Sequence, residues 1–115
     1  MSKPVIYGIK NCDTVKKALV WLEAHNVACD FHDYKKQGAD RAVLARAFRQ
    51  YGWENVLNRK GTSWRALPET VRENMDAAGA MAAALANPSL IRRPLVVVDN
   101  EIIVGFDEEV YRERF

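Results

Sequence analysis

The residue best placed to do chemistry is Cys12, one of two cysteines in a chain of 115 residues. It follows the apolar run Pro4–Ile9 and precedes residues with helical spacing. Such a junction lies at the carboxyl end of a strand, where open α/β sheets hold ligands, and the start of a helix favours thiolate over thiol. Lys10 and Lys16 add positive charge nearby, whereas Asp13 opposes it. We therefore expect a nucleophilic thiolate; the alternative is a buried structural cysteine.

The second cysteine, Cys29, is predicted to stay apart from Cys12. The predicted helix between them has some 13 residues, which separates its ends by about 20 Å, whereas a disulfide needs Cα atoms within about 7 Å. Val15 stands where a C-x-x-C motif would have its second cysteine. We interpret Cys29 as a core or strand-edge thiol. A resolving thiol must then come from outside the chain, and glutathione is the abundant cytosolic choice.

Arginines supply further candidate binding groups. Arg93 stands just before Pro94 and an apolar run, and it could stabilise a thiolate or bind an anion in a bidentate way. The alternative is a surface arginine. Arg59 lies in the basic loop 58–62, which could bring backbone donors to an oxyanion or a carboxylate, or could be a solvated charge cluster. The two histidines form no metal-ligand pattern with the cysteines, so we expect no metal.

The elements that must position these residues follow the order β-α-β, then helices, then a hairpin and a last helix. Strands are predicted at Pro4–Ile9, Phe31–Tyr34, Leu95–Val98 and Glu101–Val104, with a turn at Asp99 and Asn100. An N-terminal βαβ unit has parallel strands and a right-handed crossover. The pattern predicts an α/β, thioredoxin-like fold with a four-stranded mixed sheet and flanking helices.

Helix signals are clear at both ends of the chain and weaker in the middle. The first helix is predicted from about Cys12 to His25, with Asn11 as its N-cap, and the second from Asp40 to Gly52. The residues 67–86 are predicted to form either one helix or two short helices divided near Gly79. A last helix is predicted after Asp107. The segment Glu54–Trp64 has the least regular pattern. The middle of the chain is therefore expected to be helical but irregular.

Composition excludes several classes of protein. Hydrophobic residues make up 49 % and charged residues 28 % of the chain, which is typical of a globular protein. The net charge of +2 is too weak to indicate nucleic-acid binding. No signal peptide or membrane-spanning run is recognisable, so we expect a cytoplasmic protein that binds neither nucleic acid nor membrane.

Four blocks of sequence together resemble the ArsC/Spx/YffB family of thioredoxin-fold proteins, and most closely its YffB branch. They are YGIKNCDTVKKA at 7–18, NRKGTSWR at 58–65, PSLIRRPLV at 88–96 and GFDEE at 105–109. They span nearly the whole chain in the order typical of the family. The resemblance implies one domain, residues 1–115, with a thioredoxin-like core at about 1–36 and 88–115. A helical insertion of about 37–87 would lie between the second and third strands.

The resemblance also implies a function. In the arsenate reductases that depend on glutathione and glutaredoxin, one cysteine attacks arsenate and three arginines hold the oxyanion. Arg59 and Arg93 match two of those arginines, but Phe106 takes the place of the third, which weakens oxyanion binding. The resemblance therefore favours a glutathione-dependent thiol-disulfide oxidoreductase with Cys12 as its catalytic residue. Thioredoxin-like folds also carry a cis proline beside the active cysteine, and Pro94 matches that position.

The expected binding site follows from this resemblance. Glutathione acts as reductant or co-substrate and not as a permanently bound cofactor, and a glutaredoxin is the second candidate for resolving the intermediate. The residues expected to contact the substrate or glutathione are Lys10, Asn11, Arg59, Arg93 and Pro94.

Two alternative functions remain open at this point. One is arsenate reduction by the same residues, coupled to glutathione or glutaredoxin. The other is an Spx-like transcriptional regulator that binds RNA polymerase. Many Spx-type regulators use a C-x-x-C redox switch, which Val15 excludes here.

Overall fold

The computed structural model describes residues 3–115 of the chain. Its four strands are β1 (Val5–Gly8), β2 (Asp30–Asp33), β3 (Leu95–Val98) and β4 (Glu101–Val104). Its helices are α1 (Asp13–Ala24), α2 (Tyr34–Gln37), α3 (Arg41–Tyr51), α4 (Trp53–Val56), α5 (Thr62–Arg65), α6 (Glu69–Glu73), α7 (Ala77–Ala86) and α8 (Glu108–Arg114), with a 3₁₀ turn at Pro88–Leu90.

The strands form one mixed sheet in the order β2-β1-β3-β4. β1 runs parallel to β2 and antiparallel to β3, and β3 pairs with β4 as an antiparallel hairpin. Because helix α1 connects the parallel strands, the N-terminal βαβ unit has the order expected from sequence. This arrangement confirms the α/β, thioredoxin-like fold that the sequence predicts, with a four-stranded mixed sheet and flanking helices.

The chain divides into two compact units. The core unit contains the chain up to Gln37 together with Arg93–Phe115, and the insertion unit contains Gly38–Arg92. All four strands and the helices α1, α2 and α8 belong to the core unit. The chain's organisation as a single domain stays a prediction.

The core unit is stabilised by an apolar cluster between the sheet and the helices α1 and α8. Its buried members are Ile6, Ala18, Trp21, Leu22, Val96, Val98, Ile103 and Tyr111. On α1 the buried positions recur at helical spacing, which places one apolar stripe of the helix on the sheet. Tyr111 is fully buried, and its hydroxyl donates a hydrogen bond to the Gly105 carbonyl at 2.9 Å. This bond from a buried ring ties α8 to the segment that follows β4.

The insertion unit is built from short helices with clear caps. The Asp40 carboxylate accepts a hydrogen bond from the Val43 N–H at 3.1 Å and caps α3, and Gly52 ends that helix with a φ of 84°. Both features were expected from sequence. The Asn58 N–H donates to the Leu90 carbonyl at 2.8 Å, which joins the start of the basic loop to the end of the unit.

Three sequence predictions need correction at element boundaries. Cys12, and not Asn11, is the N-cap of α1. Strand β2 begins and ends one residue before the predicted Phe31–Tyr34, because Tyr34 already starts α2. The segment 67–86 contains two helices, but they are divided at 74–76 and not at Gly79, because the Asp76 side chain caps α7 by accepting a hydrogen bond from the Gly79 N–H at 2.7 Å.

Candidate active site

Cys12 lies between the end of β1 and the first turn of α1. Its backbone is extended, with φ −87° and ψ 124°, and its N–H donates to the Ile9 carbonyl at 3.1 Å. Its own carbonyl accepts the first hydrogen bond of the helix from the Lys16 N–H at 3.0 Å. The side chain is half-buried. The strand-to-helix junction thus presents the thiol at the helix N-terminus, as the sequence predicts.

The surroundings of Cys12 favour its thiolate. Partial burial by itself raises the pKa of the Cys12 thiol. The Val15 N–H, a hydrogen bond from the Arg93 side chain and the Thr14 N–H act in the opposite direction, and the positive charge of Arg93 adds to their effect. The net result is a pKa below the ordinary value of a cysteine. A thiolate so stabilised is the reactive form in nucleophilic attack and in disulfide exchange.

Arg93 reaches Cys12 because of the register between β1 and β3. Tyr7 lies opposite Leu95, so the residues that precede β3 lie beside the end of β1. The Arg93–Pro94 peptide bond is cis, as expected for the proline beside the active cysteine. The Pro94 carbonyl accepts a hydrogen bond from the Gly105 N–H at 2.8 Å, which continues the β3–β4 pairing by one residue. The hairpin therefore holds the segment that carries Arg93.

The other expected contact residues occupy different parts of the chain. Lys10 and Asn11 are exposed in the loop between β1 and α1, and Pro94 is buried. All three belong to the core unit with Cys12. Arg59 belongs to the insertion unit, where its guanidinium carbon lies 5.9 Å from the centre of the Trp53 ring. The binding roles assigned to these residues stay predictions.

The basic loop of the insertion unit forms a shallow cavity of about 330 Å³. Its lining includes the cationic side chains of Arg59, Lys60 and Arg92, the carboxylate of Glu54 and the polar side chain of Asn58. The Trp53 and Trp64 rings lie 6.3 Å apart, centre to centre. Three cations against one carboxylate leave an excess of positive charge, which suits an anionic group; the role of this loop as an oxyanion or carboxylate site stays a prediction.

Cys29 differs from Cys12 in the direction in which its surroundings shift the pKa of the thiol. Burial and the negative charge of Asp30 raise the pKa of the Cys29 thiol, and Lys3 offsets only part of that effect. Cys29 packs against the apolar cluster and precedes β2, whose first residue pairs with Val5 at the start of β1. It therefore lies at the opposite end of the sheet from Cys12. Both cysteines are free, as their predicted separation requires.

A groove in the core unit was not foreseen from the sequence. It has a volume of about 670 Å³ and predominantly apolar walls, and its lining includes Lys16, Lys17, Val20, Trp21, Phe106 and Glu108. The signal in the sequence was Val20, an apolar residue outside the α1 stripe formed by positions 15, 18 and 22. Its side chain is 66 % exposed. An apolar residue on the outer face of a helix can mark a groove as well as an incidental surface position.

The residues that the structure describes contain neither a metal-binding cluster nor a membrane-spanning helix. Among residues 3–115, no group of three or more His, Cys, Asp and Glu side chains is arranged to hold a metal ion. Within the same residues, no helix has the length and apolar character needed to cross a membrane.

Comparison with known proteins identifies close relatives. The sequence profile of the ArsC family matches residues 7–114. An uncharacterized protein from Haemophilus influenzae is 44 % identical over 110 residues, which cover 96 % of each chain. More distant is the global transcriptional regulator Spx from Streptococcus agalactiae, 27 % identical over 89 % of this chain and 75 % of its own length.

Two solved structures of related proteins resemble this chain over most of its length. A protein named YffB shares 47 % identity and superposes with a TM-score of 0.92, with 96 % of each chain covered. An arsenate reductase (ArsC) related protein from Brucella melitensis shares 49 % identity with a TM-score of 0.78, over 97 % of this chain and 93 % of its own. Both cover the junction that carries Cys12 and the segment that carries Arg93.

Proposed function

Because this chain belongs to the ArsC family, we propose that it is a glutathione-dependent thiol-disulfide oxidoreductase whose nucleophile is Cys12. The observation that carries the proposal is the pairing of an arginine with the thiol of the N-cap residue of α1. Val15 and Thr14 N–H groups and the Arg93 side chain all favour the Cys12 thiolate. A cytoplasmic location, where glutathione is abundant and thiols stay reduced, suits this chemistry.

The proposed reaction proceeds through a mixed disulfide. The Cys12 thiolate attacks one sulfur of a substrate disulfide, a new S–S bond forms, and the other substrate sulfur leaves as a thiolate that takes a proton from water. The thiolate of glutathione then attacks the substrate sulfur of the mixed disulfide. That step releases the Cys12 thiolate, and the substrate leaves as its glutathione disulfide. An external thiol is required because Val15 occupies the position of a C-x-x-C resolving cysteine.

The binding residues have separate proposed roles. Arg93 polarises Cys12 and binds a carboxylate of glutathione, since a guanidinium donates through more than one N–H. Lys10, Asn11 and the backbone at Pro94 line the site beside the thiolate. For Arg59 the proposed role is to bind a second carboxylate, because its loop concentrates cations.

Arsenate reduction is the second candidate function. It is supported by the name of the Brucella melitensis relative, an arsenate reductase (ArsC) related protein. Phe106 counts against it, because an aromatic side chain replaces the arginine that the resemblance leads us to expect and cannot donate to an oxyanion. A thiol substrate carries less charge than arsenate and does not need that third cation.

The test compares wild-type protein with Cys12→Ser and Cys29→Ser variants. Each is incubated with glutathione disulfide and analysed by mass, and thiol-disulfide exchange is followed with glutathione as reductant. We expect one glutathione adduct and full exchange in wild type and Cys29→Ser, and neither in Cys12→Ser. Full activity of Cys12→Ser would refute the mechanism. Turnover of arsenate with glutathione and glutaredoxin would favour the second candidate.

The regulatory alternative predicts a different result. An Spx-like protein would retain RNA polymerase in stoichiometric amounts in a pull-down and would show no thiol activity. The relationship to Spx is more distant than that to the YffB and Brucella melitensis proteins.

A further inference from the structure

We infer that the groove beside α1 binds an arm of the substrate, and that this substrate is a small disulfide with an apolar arm ending in an acidic group. The inference deepens the proposed function and rests on it, because Cys12 must be the nucleophile. The groove lies wholly in the core unit, between the outer face of α1 and the segment that follows β4. We call it the α1 groove.

The α1 groove begins one helical turn from Cys12. The Lys16 N–H donates to the Cys12 carbonyl, so Lys16 lies one helical turn after the N-cap residue Cys12. Val20 and Ala24 follow Lys16 at four-residue spacing, and all three line the groove. One turn of an α-helix rises about 5.4 Å, a span of a few covalent bonds. A group attached to a sulfur at Cys12 can therefore enter the groove.

The opposite wall is fixed at the same end of the sheet. Phe106 follows Gly105, whose N–H bonds to the Pro94 carbonyl next to Arg93. The Phe106 ring packs edge-on against the buried Tyr111 ring, with centroids 4.9 Å apart. This contact holds Phe106 in place as an apolar wall. Phe106 therefore weakens the case for an oxyanion substrate and also supplies an apolar surface that suits an apolar substrate arm.

Charge at the groove favours an acidic ligand. Three charged side chains line it: Lys16, Lys17 and Glu108. Glu108 is already paired with Arg112 at 3.6 Å. Within residues 3–115 neither lysine has an ion pair, so both ammonium groups remain available to a carboxylate. The available charge is positive, and the complementary ligand is an anion.

The dimensions of the α1 groove indicate a small molecule. Its volume of about 670 Å³ lies within the range of about 300–1,000 Å³ in which proteins bind small ligands. Predominantly apolar walls with a few charged groups are also typical of such sites. An aromatic or medium-length aliphatic arm fills this space, whereas a simple alkyl group such as methyl does not reach it.

The test uses two thiol-specific reagents that differ only in the arm. Methyl methanethiosulfonate and its 4-carboxybenzyl analogue react alike: the Cys12 thiolate attacks the sulfenyl sulfur, a Cys12–S–S–R bond forms, and methanesulfinate leaves with the electron pair of the broken S–S bond. Rates are measured in the Cys29→Ser protein, where Cys12 is the sole cysteine. Each ratio of carboxybenzyl to methyl rates is divided by that of N-acetylcysteine, which corrects for intrinsic reactivity.

We expect a corrected ratio of about 10, the usual gain from burying a ring in an apolar site. Val20→Glu should bring the ratio to about 1, because it places a carboxylate in the α1 groove, and Val20→Leu should retain it. Val110→Glu is the control, since Val110 is another exposed valine of the core unit that lies outside the groove, and its ratio should match that of the parent.

The outcomes separate the inference from the proposed function. A corrected ratio near 1 in the parent protein, or one unchanged by Val20→Glu, would overturn the inference that the α1 groove binds the substrate arm. Either result would leave the proposed role of Cys12 as nucleophile intact. Slow reaction with both reagents at neutral pH would overturn the proposed function, and the inference with it. A ratio lost equally in Val110→Glu would show that charge on the core unit, and not the groove, governs the rate.

Discussion

Replacing Arg93 by glutamine removes a side chain that stabilises the Cys12 thiolate through both a hydrogen bond and a charge. The pKa of Cys12 must then rise, because partial burial still disfavours the thiolate while the N–H groups of Val15 and Thr14 alone oppose it among the groups that act on Cys12 within residues 3–115. Glutamine keeps the first part of the arginine side chain and remains polar, but it is shorter and carries no charge. The substitution therefore tests the contribution of the guanidinium to the thiolate.

The magnitude follows from the strength of such contacts. A hydrogen bond to a charged group contributes about 1.5–3 kcal/mol, and solvent screening at a half-exposed thiol reduces this to about 1 kcal/mol. The thiolate population at low pH then falls about fivefold. A more basic thiolate is intrinsically more reactive, with a Brønsted coefficient of about 0.4–0.5 in disulfide exchange. The observed rate therefore falls about 2.4-fold at low pH and rises about twofold at high pH.

The assay is the reaction of Cys29→Ser protein with 4,4′-dithiodipyridine, a neutral disulfide, followed by absorbance from pH 5 to pH 10. We expect the Arg93→Gln profile to cross that of the parent, and Arg93→Lys to lie between them because it keeps the charge. Arg92→Gln is the matched control, since Arg92 is the neighbouring arginine and is exposed. Parallel profiles without a crossing, or an equal change in Arg92→Gln, would refute this account of the thiolate.

Three further outcomes follow from the contacts described above. Cys29 in the Cys12→Ser variant should react at least about tenfold more slowly than Cys12 at pH 7, because the pKa shifts of the two thiols have opposite directions. Tyr111→Phe should lower the free energy of unfolding in urea by about 1 kcal/mol, since the half-buried Gly105 carbonyl loses its donor. Gly8→Ala should cost about 1–3 kcal/mol in the same measurement, because the added Cβ would lie 2.8 Å from a Val15 methyl carbon.

Each of these outcomes can be contradicted by experiment. Equal rates for the two cysteines would show that the helix terminus and Arg93 do not activate Cys12. Tyr51→Phe serves as the control for Tyr111→Phe, because Tyr51 is 38 % exposed and its loss of a hydroxyl should leave stability nearly unchanged. If the urea midpoint of unfolding of Gly8→Ala equals that of the parent protein, the Val15 side chain must be able to move aside.

The fold was predictable because its signals were local. Short apolar runs mark the strands, the two carboxylates Asp40 and Asp107 cap helices as predicted, and Asp99 adopts a positive φ of 53° in the predicted hairpin turn. The boundaries were less certain because several residues suit either side of a junction. Asn11 and Cys12 both precede the first helical turn, but the Cys12 carbonyl accepts the first helical hydrogen bond, from the Lys16 N–H, and this makes Cys12 the N-cap.

The candidate site was only partly predictable for a related reason. The reactivity of Cys12 follows from a neighbouring strand and helix, which a sequence reveals. Its contact with Arg93 depends on the register between β1 and β3, which the sequence does not reveal. Only the family resemblance pointed to Arg93. The α1 groove depends on how Phe106 packs against Tyr111, and no periodic pattern encodes such a contact. Patterns along the chain thus predicted the position of the candidate nucleophile, whereas the groove beside it depends on three-dimensional packing.

The pairing of β1 with β3 has a consequence for how the protein folds. Val5 pairs with Val97, so the sheet's central contact closes a loop that contains the whole insertion unit. Closing a loop of this length has an entropic cost, and such distant contacts slow folding. The insertion unit is one continuous segment, so all of its own contacts can form before β3 is synthesised. A nascent chain that ends at Arg92 contains Cys12 but lacks Arg93, β3 and β4, and therefore acquires its complete sheet only after β4 has been added.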